Sequence, residues 1–302
     1  MAEYLLTRMS LNIKPTFIAL RPHQWSKNLL LFIPLIVSSD FLKIELWGDL
    51  ILAFFSFSFI ASGSYIFNDL LDLENDKKHP IKKNRPLASN ALDPNKGKII
   101  ALFITILGIS IGSFLTKTFL FSLALYLLIV LIYNLILRSV VLADCFALSF
   151  LFTLRVISGA FAVELELSFW MLFFSIFFFF SLSLLKRFSE LVNYSVKDEL
   201  IFGRGYKKKD IPFIQNLGIS SGLISVFILG LYLKDPKLIE IYNSPESLLL
   251  FLPVLLIWIS SMWFYAFKGK NIHDPISFAL SDTLSLILLL LSLIIFYVAK
   301  FI

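Results

Sequence analysis

The chain has 302 residues, of which 58% are hydrophobic and only 16% charged, and its net charge is +6. An ordinary soluble domain carries about 25% charged residues, and a water-soluble fold of this size has no room to hide so much apolar surface. Twelve glycines and eleven prolines are too few for a disordered chain, and the single cysteine, Cys145, excludes an intrachain disulfide. An all-α integral membrane protein is the class that remains.

A spanning helix takes roughly 20 mostly apolar residues. In chain order such stretches fall at 16–38, 47–68, 97–116, 119–137, 141–163, 168–190, 211–233, 247–267 and 277–299. Nine transmembrane helices in a single polytopic domain, 1–302, are therefore expected. The first stretch is the weakest, because Arg21, Pro22, His23, Gln24 and Lys27 interrupt it. Polar groups at that depth must face protein or water. Barrel strands would alternate over about ten residues, and these runs are continuous. The N-terminal segment has no compact apolar core ahead of a small-residue cleavage site, so no cleaved signal peptide is expected.

Lysine and arginine orient the chain. Alternate segments, beginning with the N-terminal one, hold 21 of them, whereas the intervening segments hold five: Lys43, Lys117, Lys234, Lys237 and Lys300. The positive-inside rule then places the N-terminus in the cytoplasm and the C-terminus outside, in a multi-pass protein of the cell (inner) membrane. The positive charge reads as topology, with the lipid bilayer as partner and no nucleic acid. Segments 69–98 and 191–210 become cytoplasmic loops suited to substrate binding. Homo-oligomerisation is left open.

The second stretch ends in Asn68-Asp69-Leu70-Leu71-Asp72-Leu73-Glu74-Asn75-Asp76. Steps of three and four residues stack Asp69, Asp72 and Asp76 on one helix face. Three stacked carboxylates repel one another unless a cation lies among them. Oxygen-only ligands suit Mg²⁺, which binds through one or two carboxylates and completes its shell with water and substrate phosphate. The three aspartates are thus candidate catalytic residues and, with Asn68, candidate metal ligands. A basic loop follows, from Lys77 to Pro86. Beside a carboxylate face it suits a diphosphate, and Arg85, with paired donors, outranks Lys82 and the other lysines.

This stretch, NDLLDLENDKKHPIKKNRPLA, resembles the first signature of the UbiA superfamily of intramembrane prenyltransferases. The resemblance implies nine helices around a central cavity open to the cytoplasm, with the motif binding magnesium and a diphosphate. Typical aromatic prenyltransferases of the superfamily carry a second aspartate-rich motif, DxxxD, and none follows residue 76 here. In its place stand Tyr133 to Arg138, Asp144, Arg155 and the run Lys186-Arg187-Phe188-Ser189-Glu190. Fewer acids and more cations suit two phosphorylated substrates. Arg155 lies deep in an apolar stretch, where a charge must face the interior. Asp144, eleven residues earlier, is about 16 Å away along a helix axis and too far to neutralise it.

With Arg21-Pro22-His23-Gln24-Trp25-Ser26-Lys27-Asn28 near its start and Asp274-Pro275 near its end, the chain is most similar to the decaprenyl-phosphate phosphoribosyltransferase branch. That resemblance implies a Mg²⁺-dependent pentosyltransferase. It would move a 5-phosphoribosyl group from phosphoribosyl pyrophosphate to a polyprenyl (decaprenyl-like) phosphate and release diphosphate. The product would feed lipid-linked pentose donors for cell-wall polysaccharides. Candidate substrate-binding residues are Lys27, Asn28, Asn68, Lys82, Arg85, Tyr133, Arg138, Asp144, Arg155, Lys186, Arg187 and Glu190. For Asp144 a structural bond, and for Lys186 and Arg187 a helix-end ion pair with Glu190, are equal alternatives. The competing function is Mg²⁺-dependent prenyl transfer from a prenyl diphosphate to an aromatic acceptor.

Overall fold

The computed structural model describes residues 13–79, 82–193, 205–236, 241–272 and 274–302, so the expected loop 191–210 lies partly outside it, at 194–204. The described residues form helices and no strand. Two short helices come first, α1 (Ile13–Leu20) and α2 (Ile33–Val37), followed by α3 (Ile44–Leu71) and α4 (Leu73–Lys78). Then come α5 (Pro94–Gly112), α6 (Lys117–Leu135), α7 (Ala143–Ala162) and α8 (Phe169–Asn193). The last are α9 (Ile211–Tyr232), α10 (Phe251–Phe267), α11 (Pro275–Ala279) and α12 (Thr283–Phe301).

Eight described helices are long and apolar enough to cross a membrane: α3, α5 to α8, α9 and α10 with the turns that precede them, and α12. The chain is a multi-pass membrane protein. The expected count of nine rested on the stretch 16–38, which is no continuous helix. It divides into α1, a 3-10 segment Pro22–Phe32, and α2. Pro22 cannot donate a backbone hydrogen bond, and Arg21 before it sits in the left-handed region at φ 51°. The expected loop 69–98 is also largely helical. Asp93 caps α5 by accepting from the backbone N–H groups of Asn95 and Lys96, with Pro94 at the first helical position.

Helices α3 and α7 are the most enclosed, with 56% and 67% of their membrane windows buried. Around α7 gather two apolar cores. Leu151 and Leu154 pack with Leu31, Phe57 and Phe119, while Cys145 and Val156 pack with Leu184, Phe188 and Trp263. The contact between α7 and the 3-10 segment depends on Gly159. A Cβ built there would stand 1.9 Å from the carbonyl oxygen of Leu31. The missing side chain lets that backbone approach, and one turn earlier on α7 Arg155 then reaches Asn28.

Gly159→Ala is expected to destabilise the protein by at least about 1–3 kcal/mol, the usual cost of overpacking, because the atom it meets is backbone. Thermal unfolding in detergent measures this. For topology, Ser89→Cys and Asn243→Cys are both exposed positions and Cys145 is buried. An impermeant thiol reagent should label the two variants from opposite sides of a sealed vesicle. Same-side labelling would mean the span count between them is wrong by one.

Candidate active site

A cavity of about 470 Å³ opens among the 3-10 segment, the ends of α3, α6 and α8, and the middle of α7. Seven basic side chains line it, Arg21, Lys27, Lys82, Arg85, Arg138, Arg155 and Lys186, against three acidic ones, Asp72, Glu190 and Asp274. Asn68 and Tyr133 line it as well. A cavity this cationic favours anions.

At the α3 end every carboxylate of the aspartate motif already meets an arginine. Arg21 donates to both oxygens of Asp69, at 2.6 and 2.7 Å. Arg85 donates to Asp69 Oδ1 at 2.9 Å and to Asp76 Oδ2 at 2.7 Å, and Arg138 pairs with Asp72. The single helix face expected for the three aspartates is interrupted. Asp72 leaves helical geometry at ψ 3° between α3 and α4 and turns to a partner of its own. Asp69, Asp72, Asp76 and Asn68 consequently do not converge on one point. Among the described residues no three His, Cys, Asp or Glu side chains are grouped to hold a metal ion. Asp72 and Asn68 do face the cavity, which fits the one or two protein oxygens Mg²⁺ takes when phosphate supplies others.

The deeper side of the cavity has the opposite character. Arg155 is 4% exposed and donates only to neutral acceptors: Asn28 Oδ1 at 2.9 Å, the Leu151 carbonyl at 2.7 Å and the Tyr126 hydroxyl at 3.0 Å. Its guanidinium lies 5.0 Å from the Tyr126 ring centre and 5.4 Å from those of Phe57 and Phe152. Among the described residues no carboxylate pairs with it, and the Lys186 ammonium has neither ion pair nor hydrogen bond. The Lys82 ammonium likewise has no acid in ion-pair contact, and burial, then Arg138 and Arg85, push its pKa below the ordinary lysine range. Among the described residues, then, three cations of this cavity have no carboxylate in ion-pair contact.

Three expected binding residues, Asp144, Arg187 and Asn28, do not line the cavity. Asp144 and Arg187 are fully buried and pair with each other at 2.8 Å, off the cavity wall. Arg187 also pairs with Glu190, and the Tyr206 hydroxyl donates to Asp144 at 2.5 Å. The trio braces α7 against α8, and only Glu190 also reaches the cavity. Asn28, 1% exposed, lies behind Arg155 and positions it. Arg21, Tyr65, Tyr126 and Asp274 line the cavity without having been singled out as site residues. The one sequence signal for Arg21 and Asp274 was their place in the RPHQWSKN and D-P stretches.

The model of the UbiA prenyltransferase family matches residues 31–195. The chain belongs to that family. It is 34% identical over 90% of its length to y4nM of Sinorhizobium fredii, an uncharacterized protein of which it spans only 53%. To the nodulation protein NoeC of Azorhizobium caulinodans it is 32% identical, over 90% of this chain and 89% of that one. To the decaprenyl-phosphate phosphoribosyltransferase of Mycobacterium tuberculosis it is 29% identical over 177 residues, 57% of this chain and 59% of that one. The fold is shared with a UbiA homolog from Archaeoglobus fulgidus solved with GPP and Mg²⁺, at TM-score 0.65 and 14% identity over 93% of this chain and 99% of that one.

The two sides of α8 generate contrasting expectations. Asp144→Asn removes one of the two carboxylates that neutralise the buried Arg187 and should be destabilising, by less than the about 3–5 kcal/mol of a buried pair broken outright, because Glu190 remains. Lys186→Met removes a half-buried charge with no ion pair among the described residues and should leave the melting temperature unchanged or raise it. Thermal unfolding of the two variants side by side checks the pair. A Lys186→Met protein as unstable as Asp144→Asn would mean Lys186 is neutralised within the fold.

Proposed function

We propose that the chain transfers a 5-phosphoribosyl group from phosphoribosyl pyrophosphate to a polyprenyl phosphate, with release of diphosphate. The observation that supports this most is the set of cations with no acid in ion-pair contact among the described residues, Arg155, Lys186 and Lys82, around one cavity. Two phosphorylated substrates supply the anions these groups lack. A neutral aromatic acceptor would supply none for the deeper pair. The 29% identity to a decaprenyl-phosphate phosphoribosyltransferase supports the same reading over little more than half the chain.

The donor diphosphate lies against Lys82, Arg85 and Arg138, the cations beside the aspartate motif. The bond from C1 of the ribose to the diphosphate oxygen breaks, leaving C1 oxocarbenium-like, and the diphosphate departs with the electron pair. An oxygen of the acceptor phosphate then forms the new bond to C1. That oxygen is anionic at neutral pH, so no strong general base is needed. Arg155 and Lys186 screen the acceptor from the charge of the donor. Asp72 and Asn68 would hold Mg²⁺, whose charge would stabilise the departing diphosphate. The reaction runs on the cytoplasmic side of the inner membrane, and its product feeds lipid-linked pentose donors for cell-wall polysaccharides.

The deciding experiment incubates purified protein with Mg²⁺, labelled phosphoribosyl pyrophosphate and a polyprenyl phosphate. Label should enter the lipid phase. Transfer of a prenyl group from a prenyl diphosphate to an aromatic acid instead would establish the competing function. In the same assay Asp72→Asn should lower turnover by roughly 10²–10⁴ while leaving the protein folded. Arg155→Ala should raise KM, lower kcat, or both, with partial recovery in Arg155→Lys, since an ammonium lacks the paired donors of a guanidinium. A folded and fully active Arg155→Ala enzyme would sink the phosphate-cavity reading.

A further inference from the structure

Lys27, unlike Arg155 and Lys186 beside it in the cavity, already holds a carboxylate among the described residues. Its ammonium stands 2.8 Å from Asp274 Oδ2, and the two side chains are 14% and 16% exposed. This pair sits at a constriction. Lys27, Lys186 and Asp274 line the main cavity and also a small chamber of about 50 Å³ behind it. Ser183 faces that chamber too. It is 4% exposed, and its hydroxyl has no hydrogen-bond partner among the described residues. Leu182 and Ile276 then lead from the chamber into an apolar slot of about 380 Å³ among α8, α9, α10 and α12. Its walls include Phe178, Trp258 and Leu288, and at its outer edge Leu280 and Leu289 are 47% and 48% exposed. Polar charge, a narrow passage and an apolar slot therefore follow one another in line.

We infer that Lys27, Lys186 and Ser183 form the subsite for the monophosphate head of an isoprenoid lipid, that its tail runs past Leu182 and Ile276 into the slot, and that Asp274 holds the place of the phosphate until it arrives. The inference rests on the reading of the cavity as a site of transfer to a lipid phosphate, and it deepens that reading by separating the acceptor from the donor. Charge complementarity selects the occupant. A phosphate monoester gives Lys27 an anion in exchange for Asp274, gives Lys186 its first counter-ion and gives the Ser183 hydroxyl an acceptor. Phosphoribosyl pyrophosphate, having no apolar part, cannot use the slot. Asp274 is not stranded by the exchange, because the Ser277 hydroxyl still donates to it at 2.9 Å. By competing for Lys27, Asp274 sets how tightly the lipid phosphate binds, which makes it a specificity-determining residue.

Three measurements test this. Asp274→Asn should lower KM for a polyprenyl phosphate several-fold and leave KM for phosphoribosyl pyrophosphate where it was. Ile276→Trp, which fills the passage, should raise KM for a long polyprenyl phosphate about tenfold or more and affect a five-carbon prenyl phosphate much less. In the unmodified protein, a farnesyl phosphate carrying a diazirine at its tail end should crosslink to peptides of α8, α9, α10, α11 or α12. Excess farnesyl phosphate should displace it, and inorganic phosphate or farnesol should not. Crosslinks outside those helices, a higher lipid KM in Asp274→Asn, or equal loss for both chain lengths in Ile276→Trp would each overturn the subsite. Crosslinking to the slot without phosphoribosyl transfer would keep the subsite and discard the reaction; transfer with crosslinks elsewhere would do the reverse.

Discussion

A guanidinium closed off from water and held by nothing but neutral acceptors is the constraint around which this protein is arranged. Arg155 has a side-chain amide, a backbone carbonyl, a phenol and three aromatic faces for company, and no carboxylate among the described residues. Each contact satisfies a hydrogen-bond donor; none cancels the charge. Keeping such a group in place takes structure from several directions. The 3-10 segment must come close enough for Asn28 to reach it, and Gly159 opens that approach. Asn28 is itself fixed, its amide donating to Ser58 on α3 at 2.9 Å. The broken first helix, the glycine on α7 and the serine on α3 are thus parts of one support.

The cavity around it has two unlike ends. Near the aspartate motif, acids and arginines cancel one another, and one guanidinium nitrogen of Arg21 donates to both oxygens of Asp69 in charge-assisted hydrogen bonds. The deeper end keeps its positive charge. Inside a membrane protein an uncancelled charge is costly, and the cost is tolerated where function needs it. One cavity thus runs from cancelled charge at the aspartate motif to uncancelled charge, among the described residues, at its deeper end.

Much of this was legible in the sequence, for physical reasons that can be named. Apolar runs of about 20 residues located eight helices, because lipid requires that length whatever surrounds it. The run 16–38 misled, since its break arises from the left-handed Arg21 and from polar residues that face the cavity. Spacing alone stacked Asp69, Asp72 and Asp76, yet the helix ends at Leu71 and Asp72 takes its own arginine. Lys27, Asn68, Lys82, Arg85, Tyr133, Arg138, Arg155, Lys186 and Glu190 do gather at one cavity. Asp144 and Arg187 find each other from separate helices 43 residues apart in sequence, and Arg21 finds Asp69 across 48. No local pattern announces pairings of that range.

Lys186 and Arg187 show how finely the division is drawn. They are neighbours on α8, turned about 100° from one another by the helix. Arg187 points into the interior, where Asp144 and Glu190 neutralise it and Tyr206 completes the network. Lys186 points to the cavity and meets no acid in ion-pair contact among the described residues. The acids needed to cancel it were within reach, since Glu190 is one turn away and lines the same cavity. Glu190 is instead committed to Arg187. The fully buried Arg187 is thus the paired cation of the two, and Lys186, which faces the cavity, is only partly buried. A stability-driven arrangement would have paired the residue facing the cavity first, because it is the one without a brace. Leaving it uncancelled while its neighbour holds two acids is what a site built to receive an anion requires.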